Sequence, residues 1–201
     1  MPPSMKKSST ATPAKERLLA TAARLFEAQG YESTGINQII AESETAKASF
    51  YDHFPSKELL GQEYLARYGR KHLELLGLLM QRSATPQDFI AAWVRLIRRQ
   101  NRSGVFYGCP MANLRAQIGI GSPALASAIA SLAADTIEAL SGYLRAFYGE
   151  KAGTAKHARA VARRIFQIYE GGVHVWRLTG DDAALDDIEP LCLAILDRDC
   201  C

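Results

Sequence analysis

From Pro13 onward the apolar residues recur every three or four positions, and no stretch alternates apolar with polar in the two-residue rhythm of a half-buried strand. Such a chain has to build its core by packing helix on helix. In the first segment Leu18, Ala22, Leu25 and Phe26 fall at i, i+4, i+7 and i+8, and Gly30 closes the run. Thr34 is placed to cap a second, short helix whose inner stripe is Ile36, Ile39 and Ile40 and which ends near Glu42. The link "SET" leads to a third helix from about Ala46 to His53, stopped at Phe54-Pro55 because a residue before proline is pushed out of the helical region. Ser56 caps a long fourth helix, with Glu58 at the positive end of its dipole and Leu59, Leu60, Tyr64, Tyr68, Leu73, Leu76 and Met80 along its length. Further helices are expected near 86–101, 110–119, 123–148, 154–178 and 183–197, giving an all-α fold of about nine helices.

At 201 residues, 48% hydrophobic and 22% charged, the chain can hold a small domain joined to a larger one. Residues 1–12, rich in Pro, Ser, Thr and Lys, are expected to be a disordered tail whose lysines are available to a polyanion, followed by domains at 13–57 and 58–201. No apolar run is read as approaching the roughly 20 residues of a membrane helix, and no apolar segment follows the basic N-terminus. The expectation is a cytoplasmic protein without a membrane partner. A net charge of +3 is too mild to indicate nucleic acid by itself. Cys109, Cys192, Cys200 and Cys201 lack the paired spacing of a zinc site and the four histidines are scattered, so neither metal nor cofactor is expected, and the thiols should stay reduced.

The segment "AKASFYDHFPSKE" carries the chemistry. On a helical wheel Ala46, Phe50 and Phe54 share one side and would meet the isoleucines of the second helix. The other side shows Ala48, Tyr51 and Asp52, flanked by Lys47 and Ser49. A large ring has no reason to stand in water there, but a short helix about 10–12 Å wide fits a DNA major groove about 12 Å wide. Lys47 can donate to guanine O6 and N7, the Ala48 methyl can touch a thymine methyl, and Tyr51 can stack or donate its hydroxyl. Ser49, His53 and Lys57 suit phosphate oxygens, as does the start of the second helix at Thr34. The bland competitor is three short helices with an incidentally basic surface.

"TPAKERLLATAARLFEAQGYESTGINQII" followed by "AKASFYDHFPSKELL" resembles the N-terminal domain of TetR-type (tetracycline-repressor-type) transcriptional regulators over Thr12 to about Leu60. The resemblance implies a helix-turn-helix head on each subunit of a homodimer, a larger helical ligand domain, and repression of a double-stranded operator relieved by a small-molecule effector. It also places DNA contacts on Thr34, Asn37, Lys47, Ala48, Ser49, Tyr51, His53 and Lys57. Two features depart from the family pattern. Glu44-Thr45 stands where Gly-Val is usual, although glycine is what a left-handed turn prefers. Glu42, Glu44 and Asp52 put negative charge near the duplex, so affinity should lean on Lys6 and Lys7 and fall steeply with salt.

In "SGVFYGCPMANLRAQIG", Pro110 suits the first position of a helix, which sets Cys109 at its cap. Helix N–H groups directed at the sulfur would favour a thiolate able to sense electrophiles or oxidants; the alternative is a small buried residue. Trp93, Phe106, Tyr107, Cys109, Met111, Asn113, Arg115, Tyr169, His174 and Trp176 are the candidate effector-binding residues, aromatic walls with few polar groups. Arg115, if turned inward, would favour an anionic effector. The resemblance assigns the dimer interface to the last two long helices, one basic (Lys156, Arg159, Arg163, Arg164) and one acidic (Asp181, Asp182, Asp186, Asp187, Glu189), with Ile188, Leu191, Leu193, Ile195 and Leu196 buried between them. An enzyme using Cys109 with His157 or His174 as base, and an adaptor binding only protein, are the readings from other classes.

Overall fold

The computed structural model describes residues 13–119, 122–149 and 154–200. The expected tail at 1–12 with Lys6 and Lys7, the Cys200 side chain and Cys201 lie outside the described residues. The helices are α1 (Ala14–Ala28), α2 (Ile36–Glu42), α3 (Lys47–His53), α4 (Lys57–Arg82), α5 (Pro86–Arg102), α6 (Pro110–Gln117), α7 (Pro123–Tyr148), α8 (Ala155–Thr179), α9 (Ala183–Asp186) and α10 (Ile188–Cys200), with no strand among the described residues. Because α9 is a single turn leading into α10, the pair corresponds to the one helix expected over 183–197, and the nine-helix all-α reading stands. Contacts divide the chain into a unit ending at Tyr64 and another beginning at Leu65.

In the first unit Leu18, Leu19, Ala22, Leu25 and Phe26 of α1 close over Ile39 of α2, Phe50 of α3, and Phe54 and Leu60 beyond it, all buried. The Phe26 ring packs edge-on against Tyr31 at 5.0 Å and Tyr64 at 5.4 Å, which ties the start of α4 into this core. Ser56 caps α4 as expected, its Oγ accepting from the Leu59 N–H at 3.1 Å. Two expectations are corrected. Gly35, not Thr34, occupies the cap position of α2; Thr34 is 0% exposed and its hydroxyl donates to the Gly30 carbonyl at 2.7 Å, closing the turn after α1 instead. Ala46 is the exposed cap of α3 and not part of its buried side, because the helix begins only at Lys47.

In the second unit α7 and α8 pack along their lengths, and α10 lies against α8 and α5. The α8 face Ala158, Val161, Ala162, Ile165, Tyr169 and Val173 is buried. Gly172 lets α8 approach the following elements closely: a Cβ there would stand 2.5 Å from Ile188 Cγ1 and 2.8 Å from the Ala184 carbonyl. Charges pair within the chain, Arg159 with Glu138 of α7, Arg164 with Asp199 at 2.6 Å and Arg98 with Asp186 at 2.6 Å. Of the apolar residues expected at a subunit interface, Ile188 and Leu196 already sit in this unit's own core, whereas Leu191 is exposed.

The membrane reading also needs correction. By length and composition α7 is apolar enough to cross a bilayer, and only 33% of its most apolar window is buried. Alanines spaced among serines raise its hydropathy without forming a bulky apolar run. Its Leu125, Ile129, Leu132, Leu140 and Leu144 are buried, as one face of a core helix would be.

Candidate nucleic-acid interface

The turn between α2 and α3 puts Glu44 at φ 51°, the left-handed conformation that glycine takes most easily. The turn keeps this form without glycine because its backbone is held from several sides. Glu44 N–H donates to the Ala41 carbonyl and Thr45 N–H to the Ile40 carbonyl, each at 3.2 Å. Arg17 of α1 donates through Nε to the Ser43 carbonyl at 3.0 Å and through a terminal nitrogen to the Glu44 carbonyl at 3.2 Å. Left-handed backbone costs a non-glycine residue roughly 1–2 kcal/mol, part of which glycine forfeits through its freer unfolded state. Glu44→Gly should therefore stabilise the first unit by about 0.5–1 kcal/mol, read as a rise in its urea midpoint; a fall would show that the Glu44 side chain outweighs the strain.

On this turn α3 stands with Phe50 buried beneath it and Lys47, Ala48, Tyr51, Asp52 and His53 exposed; Ser49 is half-buried. Tyr51 is 44% exposed, and its ring rests edge-on against Phe50 at 5.2 Å. The core thus supports the ring while leaving nearly half of the residue open to solvent. Asn37 of α2 is exposed. Lys57 is half-buried: its Nζ lies 4.4 Å from the centre of the Tyr31 ring and donates to the Glu32 carbonyl at 3.3 Å, and burial lowers its pKa. Thr34 is turned inward, so of the expected phosphate contacts its hydroxyl is the one not presented.

The negative charge expected to oppose DNA is partly answered. Arg24 forms a close ion pair with Glu42, and Gln38 donates to the same carboxylate at 2.8 Å. These two hydrogen bonds, Arg24's first, hold the Glu42 carboxyl below its usual range. Glu44 and Asp52 remain exposed. A protruding helix about 10 Å long with cationic, hydroxyl and small side chains outward can enter a groove and meet base edges.

The candidate effector residues do not form one group. Trp93 and Tyr169 are buried and stacked at 4.6 Å, and Cys109 and Met111 are buried. Phe106 and Trp176 pair with each other at 5.2 Å, where the Trp176 indole N–H donates to Asp182 at 3.1 Å. Asn113 donates to the Tyr107 carbonyl at 2.8 Å and accepts from Arg177, which ties down the loop before α6. Tyr107, Arg115 and His174 are exposed; Arg115 does not point inward, and the argument for an anionic effector falls with it.

Cys109 caps α6 ahead of Pro110 as the sequence indicates. Of the two readings of Cys109 the small buried residue is the one found, and the thiolate is not supported, because burial pushes the thiol pKa well up and the neighbouring Glu170 carboxyl adds to the rise. The Ala112 and Met111 N–H groups act in the opposite direction and are outweighed. Sequence reading singled out neither Glu170, which acts on the Cys109 thiol, nor the buried His72, whose ring stacks on Tyr68 at 5.5 Å; only the helical register of "QIYEGG" hints that Glu170 is half-buried. Among the described cavities, an apolar one between Phe89, Tyr143, Leu144 and Leu196 has a volume of about 10 Å³, room for no more than one water.

Residues 18–64 match the family described as bacterial regulatory proteins, tetR family. The chain is 34% identical to the HTH-type transcriptional regulator YxaF of Bacillus subtilis over 113 residues, 55% of this chain and 59% of the relative. It is 34% identical to the HTH-type transcriptional regulator LmrA of the same organism over 116 residues, 57% of this chain and 62% of the relative. These matches span only about three fifths of the relatives' length. The fold follows the crystal structure of the reduced form of Escherichia coli NemR with a TM-score of 0.80 at 24% identity, covering 91% of this chain and 97% of that one. Residues 18–64, from α1 to the start of α4, thus form a head of the tetR type, followed by a helical architecture like that of the solved regulators.

Proposed function

We propose that this protein is a cytoplasmic homodimeric repressor that binds a palindromic double-stranded operator through α3 of each subunit and releases it when a small molecule occupies the larger unit. The observation that carries the reading is the outward Lys47-Ala48-Tyr51 edge of a short helix anchored from below by Phe50. Asn37, Ser49, His53 and Lys57 are the accompanying contacts; Thr34 is fully buried, with its N–H donating to the Tyr31 carbonyl and its hydroxyl to the Gly30 carbonyl, and is left out of the interface. Lys47→Ala with Tyr51→Ala removes a base contact and a stacking or hydroxyl contact from each half-site. At about 1–3 kcal/mol per good base contact, specific gel retardation of the adjoining intergenic DNA should weaken about 100-fold or more, with dimer mass unchanged. Undiminished retardation would leave a protein-only adaptor as the better description.

Dimerisation is supported by apolar exposure along α8 and α10, where Val175, Leu178 and Leu191 face solvent beside the uncrowded Gly171. One seven-residue reading helix contacts too few base pairs for specificity, whereas two on a symmetric pair read a palindrome. Coupling is assigned to α4, whose Leu60 and Leu76 are buried while Leu59 is exposed and does not root it. An effector that prefers the non-binding arrangement of α4 by roughly 1–3 kcal/mol changes operator affinity about 5–150-fold.

A further inference from the structure

Phe50 fixes how α3 stands on the first unit: its side chain is fully buried, so the side of the helix opposite it is the side furthest from the core. At about 100° per residue, Ala48 and Asp52 each fall about 160° around the helix from Phe50, one turn apart on the outermost line. Both are exposed. Lys47 and Tyr51 share one flank of that line, and Ser49 and His53 the other. Helical side chains lean toward the N-terminus, so the short Asp52 side chain covers the surface over the Ala48 turn, where only a methyl stands beside its carboxylate.

The carboxylates around this edge are treated differently. Glu42, at the end of α2, is held by Arg24 and Gln38, whereas no hydrogen bond or ion pair engages the Asp52 carboxylate among the described residues. A bare anion on the outermost line of a helix that enters a phosphate-lined groove opposes every DNA sequence alike, unless a donor meets it there. In the major groove guanine shows N7 and O6 and thymine shows O4, all of them acceptors, which repel a group that can itself only accept. Adenine sets its amino group beside the acceptor N7, and cytosine presents its N4 amino group alone. We infer that Asp52 is a specificity-determining residue of the reading helix, its carboxylate accepting a hydrogen bond from N4 of a cytosine at one fixed position in each half-site. This rests on the operator-binding reading and adds to it the base that is read. The charge that weakens binding to DNA in general thus becomes the device that separates one sequence from the rest.

The experiment selects duplexes retained by the full chain in gel retardation from a pool carrying a randomised palindromic segment, then replaces each position of the recovered half-site singly. Wild type should recover a half-site with one cytosine whose replacement weakens binding about 5–150-fold per half-site. Asp52→Ala should bring the four bases to within about threefold of one another at that position and leave the other positions as they were. Asp52→Asn, which keeps the shape and adds a donor beside its acceptor, should move the preference there from cytosine to adenine, whose N6 and N7 an Asn side chain pairs with. Helical circular dichroism accompanies both variants, and an exposed, unpaired side chain can be exchanged without disturbing the fold. Variants that hold all duplexes more tightly while keeping the wild-type base preferences would overturn the inference and show the carboxylate to be a plain repulsive charge. A half-site with no position at which the variants and wild type differ would overturn it as well. The operator reading survives either result; failure of wild type to retain any duplex would instead remove both.

Discussion

Leu178→Glu combined with Leu191→Glu is expected to convert the proposed homodimer to monomer. Leu178 is 77% and Leu191 54% exposed in the single chain, so neither contributes much to the core of its own subunit, and the fold should keep its stability to within about 0.5 kcal/mol. In a symmetric interface each substitution acts twice. Burying four leucines at about 1.5–3 kcal/mol for a fully covered side chain, discounted for the part already shielded, gives about 4–6 kcal/mol, or a dimer constant weakened by about a thousand-fold to ten-thousand-fold. The introduced carboxylates add repulsion and desolvation. Light-scattering mass and helical circular dichroism would be followed together; a dimer mass persisting in the micromolar range would place the subunit interface elsewhere. Operator retardation should fall with dimer mass, because a single head contacts one half-site.

Phe50→Ala is the second large effect, and it should fall on the first unit alone. Phe50 is fully buried under the reading helix and supports both the Tyr51 ring at 5.2 Å and the Phe54 ring at 6.2 Å. Truncating such a ring costs about 3–5 kcal/mol, a large share of the stability available to a unit of this size. The expected outcome is a melting curve that splits into two transitions, the lower one from the head, with DNA retardation lost at temperatures where α7, α8 and α10 remain folded. A single, cooperative transition shifted as a whole would mean that the two units unfold together. Tyr51→Ala is the control: it forfeits an aromatic contact of about 0.5–1.5 kcal/mol and should leave the head folded while altering DNA binding.

The helical ladder was legible because period and punctuation agree: Pro55 ends one element, Ser56 caps the next, and the bond to the Leu59 N–H is where that pattern requires it. Polar side chains with two possible uses were less legible. Thr34 could cap α2 or close the turn after α1, and the choice depends on where the Gly30 carbonyl lies once Tyr31 has packed on Phe26. Glu44 shows the same limit from the other side. Its residue type argues against a left-handed turn, and it adopts one because Arg17, distant in sequence, holds the carbonyls on either side.

The sequence by itself determined the all-helical class, the short third helix and the residues along its outer edge, since these depend on spacing between near neighbours. Only the tertiary structure decided that Arg115 faces outward, that the Cys109 thiol is kept protonated by burial, and that Trp93 stacks on Tyr169 in the larger unit. Solvation and pairing of a charged or polar side chain are set by groups from three or four different helices, and helical period says which way a residue faces without saying what it meets.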